Sequence, residues 1–501
     1  MSLRIATLNG GLRLRPLALC MAALLGSASS AVGASADNFM SAWPLAAHSA
    51  RGVQARGADF AFRTPRTPHR VDSSAHPPRS LVVSSCADDN SPGTLRSVVA
   101  TAVDGDTVDL GALACSTITL ALGAIRTDID NLQIQGPGRQ LLSIDGAHAD
   151  RVLVLGGAGT LAVADVSLVN GLLTGDYNGG CMRSYGNILL TRTQVSGCEI
   201  DAVGYAAGGG VAARADLTVI DSTISGNTIS VSSNYYGYLY GGGVNAVGDI
   251  VISGSTISGN TQVFLGTPTP YTLAYGGGVS ARSTLSVTQS TIDGNQGATF
   301  GGGVFFTRNS LTFSRVEIVQ STISGNAATR AGGGISIGGQ FKPYLDSFVL
   351  HNSTVAANVS AGSGGGVRFR DYTLADVQSS IVASNSANNG ADISADESVA
   401  IYGADNLVLD VGPTIALPGD TVRADPVLQP LADNGGPTRT QALGEGSPAI
   451  DAGNDYFGLP FDQRGEGFAR ITDGRADIGA FESGSSNVTD RIFADGFDPA
   501  A

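Results

Sequence analysis

The chain has 501 residues, 69 of them glycine, with only 14% charged residues and a formal net charge of −14. That acidic balance argues against nucleic acid as the main partner, because phosphate binding needs a basic face. Lys342 is the only lysine, so any lysine-based mechanism has one candidate, beside Pro343 in a poorly patterned stretch.

At the start, Arg4, Arg13 and Arg15 precede an apolar run from Leu17 to Leu25, and small residues follow to Ala34-Ser35-Ala36. The pattern predicts an export signal over residues 1–36. Cys20, preceded by Leu19, reads as an ordinary residue of that run. No other stretch approaches ~20 apolar residues, so no transmembrane helix is expected in the mature chain. Residues 37–80 carry Pro44, Pro65, Pro68, Pro77 and Pro78 with little periodicity and read as a disordered linker. His48, His69 and His76 fall there, which makes them poor catalytic candidates. Past the signal, Cys86, Cys115, Cys181 and Cys198 remain. An even count in an exported chain predicts two disulfides, and four cysteines allow three pairings. Cys86–Cys115 and Cys181–Cys198 are favoured, because each pair could lie on adjacent coils. No C-x-x-C or histidine-containing spacing supports a metal site.

Order is expected from Leu81-Val82-Val83. A helix follows near 94–103, with Leu95, Val98, Val99 and Ala102 on one face. It reads as a cap over a first coil. Strand-like runs come next, among them Thr107–Leu110, Leu132–Gln135 and Leu161–Val169, with Asp, Gly or Pro between most of them.

From Gly179 a phrase takes over: GGGV, about ten residues, then STISGN. The closing phrase recurs from Ser222, Ser255, Ser290, Ser321, Ser353 and, more loosely, Ser379, at spacings of 33, 35, 31, 32 and 26 residues. Such a period predicts a solenoid whose units bury their apolar faces only by stacking. Val211, Val244, Val279, Val304, Ile335 and Val367 form one column, and Ile224, Ile257, Ile292, Ile323, Val355 and Ile381 a second. A third column is Asn227, Asn260, Asn295, Asn326, Asn358 and Asn385. Asparagine tolerates left-handed backbone, and stacked amides can bond from coil to coil. The glycine triplets suit corners where backbone approaches backbone.

Two units carry inserts, 228–240 and 261–275, which hold Tyr235, Tyr236, Tyr238, Tyr240, Phe264, Tyr271 and Tyr275. In register, they should emerge from one edge of adjacent coils. Two readings stay open: a stacking surface for sugar rings or another protein, or packing against the flank of the solenoid. Beyond 385 the pattern changes, and a dense block runs from NGGPTRTQAL (434–443) through SPAIDAG (447–453) and DQRGEG (462–467) to DGRADIGAFE (473–482), before DRIFADGFD (490–498).

These motifs resemble those of bacterial right-handed parallel β-helix proteins with polymorphic outer-membrane-protein-like repeats. The 434–482 block is similar to the C-terminal segment of proteins named for a choice-of-anchor Q domain, and CADDNSPGTLRSVVATAVDGDTVDL near the start is similar to the opening of the same group. The resemblance implies an all-β, right-handed parallel β-helix over 81–424, an irregular C-terminal segment over 425–482 and a tail over 483–501. It also implies export to the extracellular space, cell surface or outer membrane of a bacterium, with little implied chemistry.

Enzymatic readings find thin support. Asp216 and Asp249 share an aligned column, but the next copy has Thr284, and two solvated acids explain the pair. Arg214 and Arg282 read as outward salt-bridge partners or solvated, and His351 as facing solvent or a turn. After GGGV the chain offers Ala213, Ala246, Ala281, Phe306, Ile337 and Phe369 where a calcium roll needs Asp. Asp451, Asp455, Asp462, Asp473 and Asp477 could hold a single structural calcium or could simply form turns. The sequence therefore predicts a non-catalytic, adhesin-like binding protein contacting polysaccharide or other cell-surface components. The alternative is a polysaccharide lyase or glycoside hydrolase.

Overall fold

A computed structural model describes residues 77–484, apart from 176–177, 233–236, 267–268, 308–313, 339–345, 371–372 and 397–398. The export signal, most of the linker, Lys342, Tyr235, Tyr236 and nearly all of the tail lie outside the described residues.

The chain winds into an all-β parallel β-helix of right-handed type with about 10 turns. Three sheets of 12, 11 and 10 strands run its length, and every pairing between named strands is parallel. One turn shows the order: Val211–Ala213 in the 10-stranded sheet, Leu217–Ile220 in the 12-stranded sheet, then Thr223–Ser225 in the 11-stranded sheet. Alternation places Val211, Leu217, Val219 and Ile224 inside, each fully buried, and each such side chain stabilises by roughly 1.5–3 kcal/mol. The valine column is paired rung on rung from Val211 to Val367.

At the bottom, the helix Leu95–Thr101 closes the first coil with Leu95 and Val99, and Thr94 caps it by accepting from the Ser97 N–H. Asp106 pins the same end, because hydrogen bonds from Arg79 hold its carboxyl down at about 2.

Each glycine of the triplet has its own task. Gly241 has φ +61°, and a Cβ on Gly242 would stand 2.2 Å from the Gly277 carbonyl one coil away. Asparagine, by contrast, does not supply left-handed backbone. That conformation falls one residue earlier, at Gly226, Gly259, Gly294, Gly325, Ala357 and Ser384. The asparagines instead form a ladder, fully buried from Asn227 to Asn358 and partly buried at Asn385: Asn260 Nδ2 donates to Asn295 Oδ1 at 2.9 Å, and the Asn260 backbone N–H donates to the same oxygen. The ladder begins at Cys198, whose N–H donates to Asn227, and ends at Asp392, which accepts from Asn385. A parallel ladder of serine hydroxyls accepts backbone N–H groups from Thr193 up to Ser353. Near its top the register departs from the sequence alignment. Val355 pairs with Val382, so Ile381 leaves the interior column and faces outward beside Thr354.

The inserts form paired strands. After Asn227 the chain runs out along Thr228–Val231 in a 4-stranded sheet and back along Gly237–Tyr240 in a 6-stranded sheet, before re-entering the helix at the glycine triplet. The two sheets enclose a second core of Leu173, Ile200, Ile229, Val231, Leu239 and Ala274, with Phe264 packed against it.

Disulfides join Cys86 to Cys115 and Cys181 to Cys198. The C-terminal block lies along the outer face of the 11-stranded sheet. Gln463 bonds Thr291 and Thr322, Ala480 N–H donates to Thr354, and Ile478 and Ala449 pack on Ile381 and Leu407. No helix among the described residues is long and apolar enough to cross a membrane.

Candidate functional site

The 6-stranded and 10-stranded sheets meet at the glycine triplets, and their outward side chains face one another across that corner. The residue before each triplet is Tyr240, Tyr275 and Phe300 on three successive coils, and strand pairing sets them in one register. Tyr240 and Tyr275 stack with ring centroids 5.1 Å apart, Tyr275 and Phe300 at 5.7 Å, and Tyr205 extends the row to Tyr240 at 5.7 Å. Phe305, from the 10-stranded wall, tilts against Tyr275 at 4.6 Å. The result is an aromatic-lined groove running parallel to the helix axis.

At its base is Arg282, 9% exposed, with its guanidinium carbon 4.3 Å from the Tyr240 ring centroid. Its Nε and Nη2 have no hydrogen-bond partner, and no described carboxylate lies within ion-pair distance. The hydroxyls of Ser280 and Ser336 on the same wall are also buried without partners, and Asn245 Nδ2 donates to the Ser280 carbonyl. Burial pushes the Tyr240 phenol up to about 12, with the Arg282 charge pulling the other way. Buried polar groups are nearly always satisfied in folded proteins. Three such side chains on one wall leave donors and acceptors that ordered water or a ligand can complete.

The seven insert aromatics divide. Tyr240 and Tyr275 line the groove, and Tyr238 is half-buried beside Tyr205 and Leu273 on the same sheet. Tyr271 is 47% exposed at the outer tip, whereas Phe264 is turned into the second core. Arg282 is neither solvated nor salt-bridged, in contrast to the sequence expectation. Arg214 is exposed, with its guanidinium 5.9 Å from the Tyr185 ring. Arg282, Phe300 and Phe305 were missed as a group, although an aromatic before three successive glycine triplets was a legible signal.

The other candidates are occupied. An Asp216 oxygen accepts the Asp249 N–H at 2.9 Å, and an Asp249 oxygen accepts the Thr284 N–H and Ser283 hydroxyl, so both acids hold a corner together. Glu317 and Asp376 share a register on alternate coils, but Val349 between them is 2% exposed, which leaves no room for a sugar. His351 is buried rather than solvent-facing. Its ring stacks on Phe457 at 4.6 Å, and Nε2 stands 3.2 Å from Asp376, off the hydrogen-bond direction. Burial works to raise the Asp376 carboxyl, but His351 and Gln378 outweigh it and hold it below the usual range.

In the C-terminal block, Asp462 is bound by Arg464 and the Glu482 N–H, and Asp477 by Asp451 and Ser483. Asp451 and Asp473 sit at exposed turn positions with positive φ. No group of three or more His, Cys, Asp or Glu among the described residues is placed to hold a metal ion. A cavity of about 270 Å³ lies elsewhere, between Arg139, Arg192, Thr223, Thr256 and Pro437. Its cations are engaged, Arg139 with the Asp221 carbonyl and Arg192 with Asp165, and it has no aromatic floor.

Fold and site together define a parallel β-helix protein with an aromatic groove along one flank. No family model matches the chain, and no curated protein matches it. Among solved structures, the chain is similar to "Crystal structure of pectate lyase Pel9A", with a TM-score of 0.39 and 12% identity, covering 82% of this chain and 98% of that one.

Proposed function

We propose that this is an exported, non-catalytic β-helix protein that binds an extended polysaccharide in the groove between its 6-stranded and 10-stranded sheets. The stacked row Tyr240–Tyr275–Phe300, walled by Phe305 and Arg282, carries this reading. Rings set one coil apart, roughly 4.8 Å, and stacked on one another present a continuous apolar edge along which a chain of sugar rings can pack. Two disulfides fit an oxidising, extracytoplasmic location, and the N-terminal signal pattern fits export to the cell surface or beyond. A lyase or hydrolase needs converging acids or an acid with a base. The aligned acids described above are occupied by backbone or walled off by valine, so binding is preferred.

The test is a glycan-binding screen of the secreted protein with Tyr275→Ala and Phe300→Ala beside it. Binding that falls at least tenfold in the variants, with unchanged circular dichroism, supports the reading. No retained glycan in the wild type, or equal binding by the variants, would sink it. New reducing ends or unsaturated product would move the assignment to an enzyme.

A further inference from the structure

Resting on that glycan reading, we propose that the groove takes a polyuronate, a carboxylated polysaccharide lying along the helix axis, and that Arg282 binds its carboxylates. The first support is the distribution of charge. On the 10-stranded wall, successive strands with the residue that follows each three-residue strand read MRSY (182–185), VAAR (211–214), VNAV (244–247), VSAR (279–282), VFFT (304–307), ISIG (335–338) and VRFR (367–370). These seven of the ten strands hold five arginines and no Asp or Glu, in a chain whose net charge is −14, whereas Asp128 and Asp396 follow the strands Ile125–Thr127 and Ile393–Ala395 at the two ends of the sheet. Among the described residues only Arg368 of the five has a carboxylate partner, Asp396. This wall is a local positive stripe on an acidic protein, and such a stripe concentrates polyanions.

The second support is Arg282 itself. A guanidinium removed from water without a counter-charge is costly, and the missing interactions are the N–H groups at Nε and Nη2. Those two positions form one edge of the guanidinium fork, the edge that grips a carboxylate through two parallel hydrogen bonds. A neutral sugar hydroxyl would satisfy the N–H groups but leave the charge uncompensated. The Tyr240 face beneath the guanidinium holds its plane in place.

Spacing is the third. Arg214, Arg282 and Arg370 occupy one register column, because Ala213 and Ala281 precede the first two in the paired strands and Arg370 continues the line through Thr307 and Gly338. Two coils separate the first pair and three the second, at roughly 4.8 Å per coil. One coil is close to the length of one pyranose unit, so a chain that lies along the aromatic row would bring carboxylates to this column repeatedly.

Calorimetric titration of the intact secreted protein tests this, with polygalacturonate and alginate as polyuronates and xylan and fully methyl-esterified pectin as uncharged probes. Heparin and single-stranded DNA serve as other polyanions. The expected result is binding of polyuronate that weakens at least tenfold on esterification, on raising the salt, and in Arg282→Gln, with little recovery in Arg282→Lys. If Arg282→Gln does not fold by thermal melt, the exposed pair Arg214→Gln/Arg370→Gln should still weaken polyuronate binding several-fold. Equal affinity for esterified and free chains overturns the carboxylate assignment and leaves the glycan reading standing. Absence of every glycan overturns that reading too. Tighter binding of heparin or DNA than of polyuronate overturns the assignment in favour of sulfate or phosphate.

Discussion

Two buried polar columns run side by side along this helix, either side of the glycine triplets. In the asparagine ladder every carboxamide is bonded: Asn295 accepts from the Asn260 N–H and side chain and donates to the Ile257 carbonyl and to Asn326. On the groove wall, Arg282, Ser280 and Ser336 bury polar atoms that nothing bonds. The asparagines follow a left-handed residue at a bend, whereas Ser280 and Ser336 lie within strands and Arg282 just past one, and only the first set is satisfied. A satisfied column holds coils together, and an unsatisfied one costs stability that a ligand or an ordered water would offset.

The sharpest break of that comparison is Asn295→Ala. It strands the Asn260 backbone N–H, at about 1–3 kcal/mol for a buried group left unpaired, and removes one bond each from Asn260 Nδ2, the Ile257 carbonyl and Asn326 Oδ1, at about 1 kcal/mol each. A loss of about 4 kcal/mol or more is expected in urea denaturation. A loss under about 1 kcal/mol would mean that the ladder does not hold the coils.

Glycine substitutions come next and separate two roles within the same phrase. Gly242→Ala drives a Cβ to 2.2 Å from the Gly277 carbonyl, an overpacking worth about 2–3 kcal/mol. Gly226→Ala meets no atom within 4 Å and strains only a φ of +63°, about 1 kcal/mol. The chain already places Ala357 in that column at φ 59°. Melting curves that rank the two variants the other way would contradict the corner geometry.

A smaller, pH-dependent effect is expected where the C-terminal block docks. Glu482 is buried while accepting the Thr472 and Asp477 N–H groups. Burial raises its carboxyl to about 7 from an ordinary value of 4.5. A raised folded value means that the contribution is full below about 4.5 and fades as the pH climbs through about 7. Limited proteolysis should therefore release the 425–484 region faster at pH 8 than at pH 5, and Glu482→Gln should flatten that slope. Equal rates at both pH values in the wild type would remove the assignment.

The solenoid was legible because its physics is periodic: an interior column repeats, and a repeat can be read without coordinates. Ile381 was misplaced because counting from Ser379 rather than Ser380 shifts a strand by one residue, and a one-residue shift turns a side chain from inside to outside. The groove was only half legible. Tyr240 and Tyr275 stood out as insert residues, but nothing in the sequence marked the inserts as paired strands, since a short excursion in two strands has no repeat of its own. Nothing in the letters around Arg282 says that a neighbouring sheet buries it. His351 was misread for the same reason, because Phe457, 106 residues further on in the sequence, covers it.

The smallest expected effect is the most discriminating. Arg282→Met keeps a long flexible side chain against Tyr240 and removes a buried charge with no counter-charge. Replacing buried ionic groups by apolar ones of similar volume is often neutral or stabilising, and here there is no ion pair to lose. The variant should melt at the wild-type temperature or a few degrees above it, while Asn295→Ala melts far below. If Arg282→Met instead destabilised the fold as Asn295→Ala does, the guanidinium would be holding the groove walls together, and its open N–H groups would not be reserved for a ligand. The two polar columns would then be one structural device. Unchanged melting together with lost polysaccharide binding would show that the coil corner joins a column that builds the helix to one that uses it.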